Sequence, residues 1–115
     1  MKIKTSELTG AALDWAVAKC EGEPVRYDGE IVRYAPGQFS DEEPYNPSTN
    51  WSQGGPIIER EEIGFFQKHD EGYAQAAKPG AEFVRRGPTP LIAAMRCLVS
   101  SRLGDEVDVP EELTK

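Results

Sequence analysis

Residues 87–105, GPTPLIAAMRCLVSSRLGD, carry the punctuation of a helix at both ends. Thr89 suits the N-cap, Pro90 fits the first helical position, where its missing N–H costs nothing, and Gly104 can take the left-handed conformation that ends a helix. Leu91, Ile92, Met95, Leu98, Val99 and Leu103 recur at helical spacing while Arg96, Ser100 and Ser101 fall elsewhere. One apolar face is therefore expected to pack on a core.

Working outward, a second helix is predicted over residues 9–21, with Thr5 and Ser6 as capping candidates and Gly22 as its stop. Ala12, Ala16 and Cys20 form a stripe of small side chains, flanked by Leu8 and Trp15 on one side and Leu13 and Val17 on the other. Small residues permit close packing against a sheet or the other helix, and Asp14 and Lys19 are expected to face solvent. Between the helices the pattern changes to short alternating runs. Asp28-Gly29 separates residues 25–27 from 30–34, a hairpin signal, and the runs 63–67, 72–77 and 81–86 read as three further strands. KHDE before Gly72 and Lys78-Pro79-Gly80 are the turns between them. The expected fold is a single α+β domain over residues 1–115: a small antiparallel sheet of four or five strands, with an N-terminal and a C-terminal helix packed on it. Residues 35–52 read as a long surface loop.

The chain has 115 residues, enough for one core and too few for a second domain. Its longest apolar run, residues 91–95, falls far short of a membrane span, and MKIKTSELTG lacks the apolar region of a signal peptide, so a cytoplasmic protein with no membrane contact is expected. Twenty acidic against thirteen basic residues give a net charge of -7, which opposes binding to a phosphate backbone, and no direct nucleic-acid binding is expected. Acids gather at Asp105, Glu106, Asp108, Glu111 and Glu112 and again at Glu59, Glu61 and Glu62. Such clusters are commonly solvated surface, and the sharper alternative is an acidic face that occupies a basic partner. Cys20 and Cys97 fall in separate helices without the companions of a metal site, and they read as reduced, buried thiols. His69, the only histidine, lies in an expected turn. No phosphate-binding or dinucleotide fingerprint and no nucleophile elbow occurs. Neither catalysis nor a metal or cofactor is expected.

The segment that helix and strand periodicity leaves unexplained is residues 45–60, YNPSTNWSQGGPIIER. PIIERE could be a helical turn or two or a buried strand, and the helical reading is preferred. Gly54 and Gly55 would then let an anionic group approach the backbone at a helix start, Arg60 would supply charge and Trp51 a stacking surface, with Tyr45 and Arg33 as further candidates. The local alternative is turn chemistry, with Trp51 closing the core and Arg60 paired to a neighbouring glutamate.

MKIKTSELTGAALDWAVAKCEG, NWSQGGPIIERE and GPTPLIAAMRCLVSSRLGDEVDVPEEL together make up about half of the chain. In these segments the sequence resembles the NinX-type proteins of tailed phages and prophages. The resemblance implies a small accessory protein made in the cytoplasm of an infected bacterium, from a family with no assigned activity. Two functions of different classes are expected from these readings. One is a non-catalytic binder of a small anionic ligand, such as a host nucleotide signal, through residues 45–60. The other is an acidic factor that inhibits a host defence or replication protein. Homo-oligomerisation is left open.

Overall fold

A computed structural model describes residues 1–35, 43–68, 73–78 and 84–114. The elements are β1 (Lys2–Lys4), α1 (Gly10–Glu21), β2 (Val25–Tyr27), β3 (Val32–Tyr34), α2 (Trp51–Glu61), β4 (Gly64–Lys68), β5 (Tyr73–Ala77), β6 (Arg85–Gly87), α3 (Pro90–Leu103) and β7 (Glu106–Asp108). Short 3-10 turns occupy Thr5–Glu7 and Glu111–Thr114. The class is α+β, as the sequence implies. The single sheet of four or five strands is replaced, among the described residues, by three antiparallel sheets: β1-β7, β2-β3 and β4-β5-β6. Strand length accounts for the difference. Five of these strands have only three residues, a span of about 10 Å, so each pairing covers little more than one helix before the chain turns away.

Two strands come from sequence that carries no strand signal. β1 pairs with β7, Ile3 opposite Val107, placing Val107 in the core while the neighbouring acids Glu106 and Asp108 point outward. In the β2-β3 hairpin the second strand starts at Val32 rather than at Glu30, because Asp28 Oδ1 accepts the N–H groups of Glu30 and Ile31, each at 2.9 Å, and holds residues 28–31 in a longer turn. β6 begins at Arg85. Residues 81–83 of the expected last strand, the turns at 69–72 and 79–80 with His69, and residues 36–42 of the expected loop lie outside the described residues.

α3 is the central pillar, between α1 on one side and β5 and β6 on the other. Thr89 accepts the Ile92 N–H at 3.1 Å and Pro90 opens the first turn, as the sequence predicts. The expected one-sided stripe is too narrow. Residues 91–95 and 97–100 are all buried, because the helix is enclosed on more than one side. Ser100, expected off the packing face, is among them, and its hydroxyl accepts Arg85 Nε at 2.7 Å. Half-buried Arg96 donates to the carbonyls of Leu8 and Arg86, each at 2.8 Å, tying the entry of α1 and strand β6 to the pillar. Gly87 permits this packing: a Cβ there would lie 2.7 Å from the Ala93 backbone nitrogen.

α2 is longer than the expected one or two turns and takes Trp51 and Ser52 out of the expected loop; it runs eleven residues, with Gly54, Gly55 and Pro56 inside it. Intrinsic propensity opposes this by about 1 kcal/mol for each glycine. A cap and tertiary packing outweigh it: Asn50 Oδ1 accepts the Ser52 N–H at 2.9 Å, and Gly54 and Ile57 bury their face against α3. The carboxyl ends of the three helices are joined by charges. Glu61 receives Arg60 (3.1 Å), Lys78 (3.0 Å) and Arg102 (3.1 Å), while Arg60 also grips both oxygens of Glu21 at 2.8 and 2.6 Å. Burial works to raise the Glu61 pKa, but the hydrogen bonds from Lys78, Arg60 and Arg102 outweigh it and hold the carboxyl near 2. Glu61→Gln is expected to cost about 1 to 2 kcal/mol, since three partly exposed pairs are weakened together. Urea denaturation should show that loss shrinking as salt is raised, and a loss independent of salt would contradict an electrostatic origin.

Candidate functional site

The six residues singled out in the sequence do not converge on one place. Trp51 is the first residue of α2 and is 55% exposed, so it does not close the core. Gly54 faces the protein rather than a ligand: a Cβ there would stand 2.6 Å from Leu91 Cδ1 and 2.6 Å from the Pro47 carbonyl oxygen. Gly55, next to it, meets nothing within 4 Å. Arg60 is engaged by Glu21 and Glu61, as the local alternative for this segment anticipates. Arg33 Nε donates to Asp28 Oδ2 at 2.6 Å and so helps to fix the hairpin turn. Tyr45 is buried and meets Tyr34 edge to face, with ring centroids 5.2 Å apart; burial pushes its phenol pKa upward. Tyr45 and Arg60 do line one groove, yet Glu21 and Glu23 line it too, which makes it a poor seat for an anion.

Trp51 borders a different hollow, of about 190 Å³, with Ser48, Thr49, Thr89, Pro90 and Leu91. None of these side chains is charged. Two helices begin there, α2 at Trp51 and α3 at Pro90, and the backbone N–H groups of Trp51 and Leu91 have no acceptor among the described residues. The partial positive ends of two helices therefore border one small concavity beside an exposed indole. Thr89 and Leu91 carry no ligand signal in the sequence, because the helical pattern assigns them fully to a cap and a core position.

Ser48 and Thr49 also border a second hollow, of about 300 Å³, together with the first turn of α1, the β2-β3 turn, Tyr45 and Asn46. Its chemistry is set by Asp14, which is 6% exposed rather than facing solvent as expected. α1 is buried nearly all round, with Ala12, Leu13, Ala16, Val17 and Ala18 enclosed as well, so it offers little polar face to carry an aspartate. The sequence holds that signal in its apolar surroundings on both sides of Asp14. Asp14 Oδ1 accepts the Ser48 N–H at 2.9 Å. Burial raises the carboxyl pKa to about 6, against the opposing pull of the Ser48 amide and nearby hydroxyl. The Ser48 hydroxyl is itself buried and, among the described residues, has no hydrogen-bond partner of good geometry.

Neither thiol is poised for chemistry. Cys20 and Cys97 are both free, and burial lifts the Cys20 thiol to about 11 and raises Cys97 as well. Among the described residues no group of histidine, cysteine and carboxylate side chains is placed to hold a metal ion. No helix there is long and apolar enough to cross a membrane.

No curated protein matches the chain. A family model described as bacteriophage P22 NinX does match, over residues 4–102, which takes in α1, α2 and all but the last residue of α3. That span is most of the 115 residues, and the chain belongs to this phage NinX family.

Proposed function

We propose that this phage accessory protein works in the host cytoplasm without catalysis and holds a small anionic ligand bearing an aromatic ring, of the nucleotide class, at Trp51. One observation carries the reading: the exposed indole borders an uncharged hollow onto which two helix N-termini open. An indole face supplies sequence-tolerant stacking, and free N–H groups at helix starts supply acceptor-specific attraction for a phosphate or carboxylate. The site of the anion thus moves from Gly54, Gly55 and Arg60, which are turned inward, open or already paired, to the backbone around Trp51 and Leu91.

The experiment uses a Trp15→Phe background, so that emission reports Trp51 alone, and a panel of mono-, di- and cyclic nucleotides. Saturable quenching with a rise in Tm is expected at millimolar ligand. Trp51→Ala should abolish the rise while changing stability by less than about 0.5 kcal/mol, as for other exposed positions. Absence of both quenching and thermal shift with every nucleotide would overturn the reading.

A further inference from the structure

The hollow beside α1 has the opposite electrostatic character to the one at Trp51. We propose that it is a binding site for the primary ammonium group of a small organic amine, with Asp14 Oδ2 as the charge partner. Oδ1 accepts the Ser48 N–H at 2.9 Å, and the Ser48 hydroxyl stands close enough to the carboxyl to pull its pKa down without a hydrogen bond of good geometry, so the carboxylate has neutral donors beside it and no cation among the described residues. Ser48 Oγ, in the same wall, is buried and makes no hydrogen bond of good geometry among the described residues. Glu30 and Tyr45 border the hollow as well, and among the described residues no lysine or arginine does. Its volume of about 300 Å³ is at the lower end for small-molecule sites.

The need for a cation follows from what Asp14 does for the fold. Holding the Ser48 N–H requires only an acceptor, which an asparagine would supply without bringing a charge out of water. A buried carboxylate is compensated when a cation reaches its free oxygen. An ammonium fits better than a guanidinium, because one open oxygen offers no bidentate partner, while a compact point charge can direct its donors at Oδ2 and the nearby Ser48 Oγ.

The full-length chain, labelled with nitrogen-15, is titrated with 1,4-diaminobutane at constant ionic strength, with butane-1,4-diol as the neutral match. Amide shifts at Ser48 and Thr49 that saturate in the millimolar range are expected for the diamine and not for the diol. Binding should weaken at least tenfold in Asp14→Asn. It should weaken similarly between about pH 8 and pH 5, where Asp14 takes up a proton. Among the described residues the other titratable groups bordering the hollow are Glu30, from the β2-β3 turn, and Tyr45, whose phenol stays neutral throughout that range. Glu30→Gln should cost about twofold and serves as a second variant. Equal responses to diol and diamine, undiminished binding in Asp14→Asn, no weakening at the lower pH, or no saturation by about 50 mM would each overturn the assignment.

Discussion

Gly54→Ala is expected to destabilise the protein by about 3 kcal/mol, the upper part of the range for overpacking, whereas Gly55→Ala at the adjacent position should stabilise it by about 0.5 to 1 kcal/mol. Both substitutions replace a glycine inside α2 with the best helix former, so propensity alone predicts a gain at each. Space decides between them. The added methyl at Gly55 meets nothing within 4 Å, while at Gly54 it meets Leu91 Cδ1 and the Pro47 carbonyl oxygen, each at 2.6 Å. The leucine end can rotate away; the carbonyl cannot follow easily. Pro47 is buried in a turn whose neighbours are fixed on both sides, Asn46 N–H by Gln53 Oε1 at 2.7 Å and Ser48 N–H by Asp14 at 2.9 Å. Leu91→Ala should therefore rescue only a minor part of the loss in a double-mutant cycle. Paired urea denaturation curves check this, and a neutral or stabilising Gly54→Ala would show that α2 does not rest on the Pro47 backbone.

The same contrast explains what sequence reading can reach. α3 is legible because its signals are local and agree with one another: Thr89 caps, Pro90 opens and the apolar spacing is helical, while Gly104 closes the helix at φ 89° and ψ -161° rather than in the expected left-handed helical conformation. α2 is legible only in part, since Gly54, Gly55 and Pro56 argue against a three-turn helix and the deciding terms, the Asn50 cap and contact with Leu91, require the fold to exist first. β1 and β7 are too short for a period to appear; Lys2–Lys4 and Glu106–Asp108 each have a single apolar residue between charges, and pairing across the length of the chain defines them. At the site, Trp51 stands out as an aromatic that no packing face absorbs. Asp14 does not, because an aspartate in a helix defaults to the solvent side, and only the enclosure of α1 on both flanks reverses that default.

Asp14→Asn is expected to raise stability by about 2 to 3 kcal/mol at neutral and alkaline pH and by no more than about 0.5 kcal/mol near pH 4. The Asp14 carboxyl, buried at 6% exposure, has its pKa raised from an ordinary 3.8 to about 6, chiefly by the loss of hydration. It therefore binds its proton more tightly in the folded chain than in the unfolded one. Below the unfolded value both states carry the proton and no penalty exists. As the pH rises from about 4 to 6 the unfolded chain releases its proton first, stability falls, and above the folded value the whole cost is present. Two pKa units correspond to about 3 kcal/mol. Asparagine keeps an acceptor for the Ser48 N–H, and its amide group can donate to the nearby Ser48 hydroxyl where the carboxylate could only accept from it. Denaturation curves of parent and variant between pH 4 and pH 8 should diverge upward through this window. Parallel curves, or a variant no more stable than its parent at pH 8, would show that the charge is not costly where it sits. If the curves diverge, the fold holds a carboxylate where an amide would serve it better, which is the cost that the proposed ammonium site would have to offset.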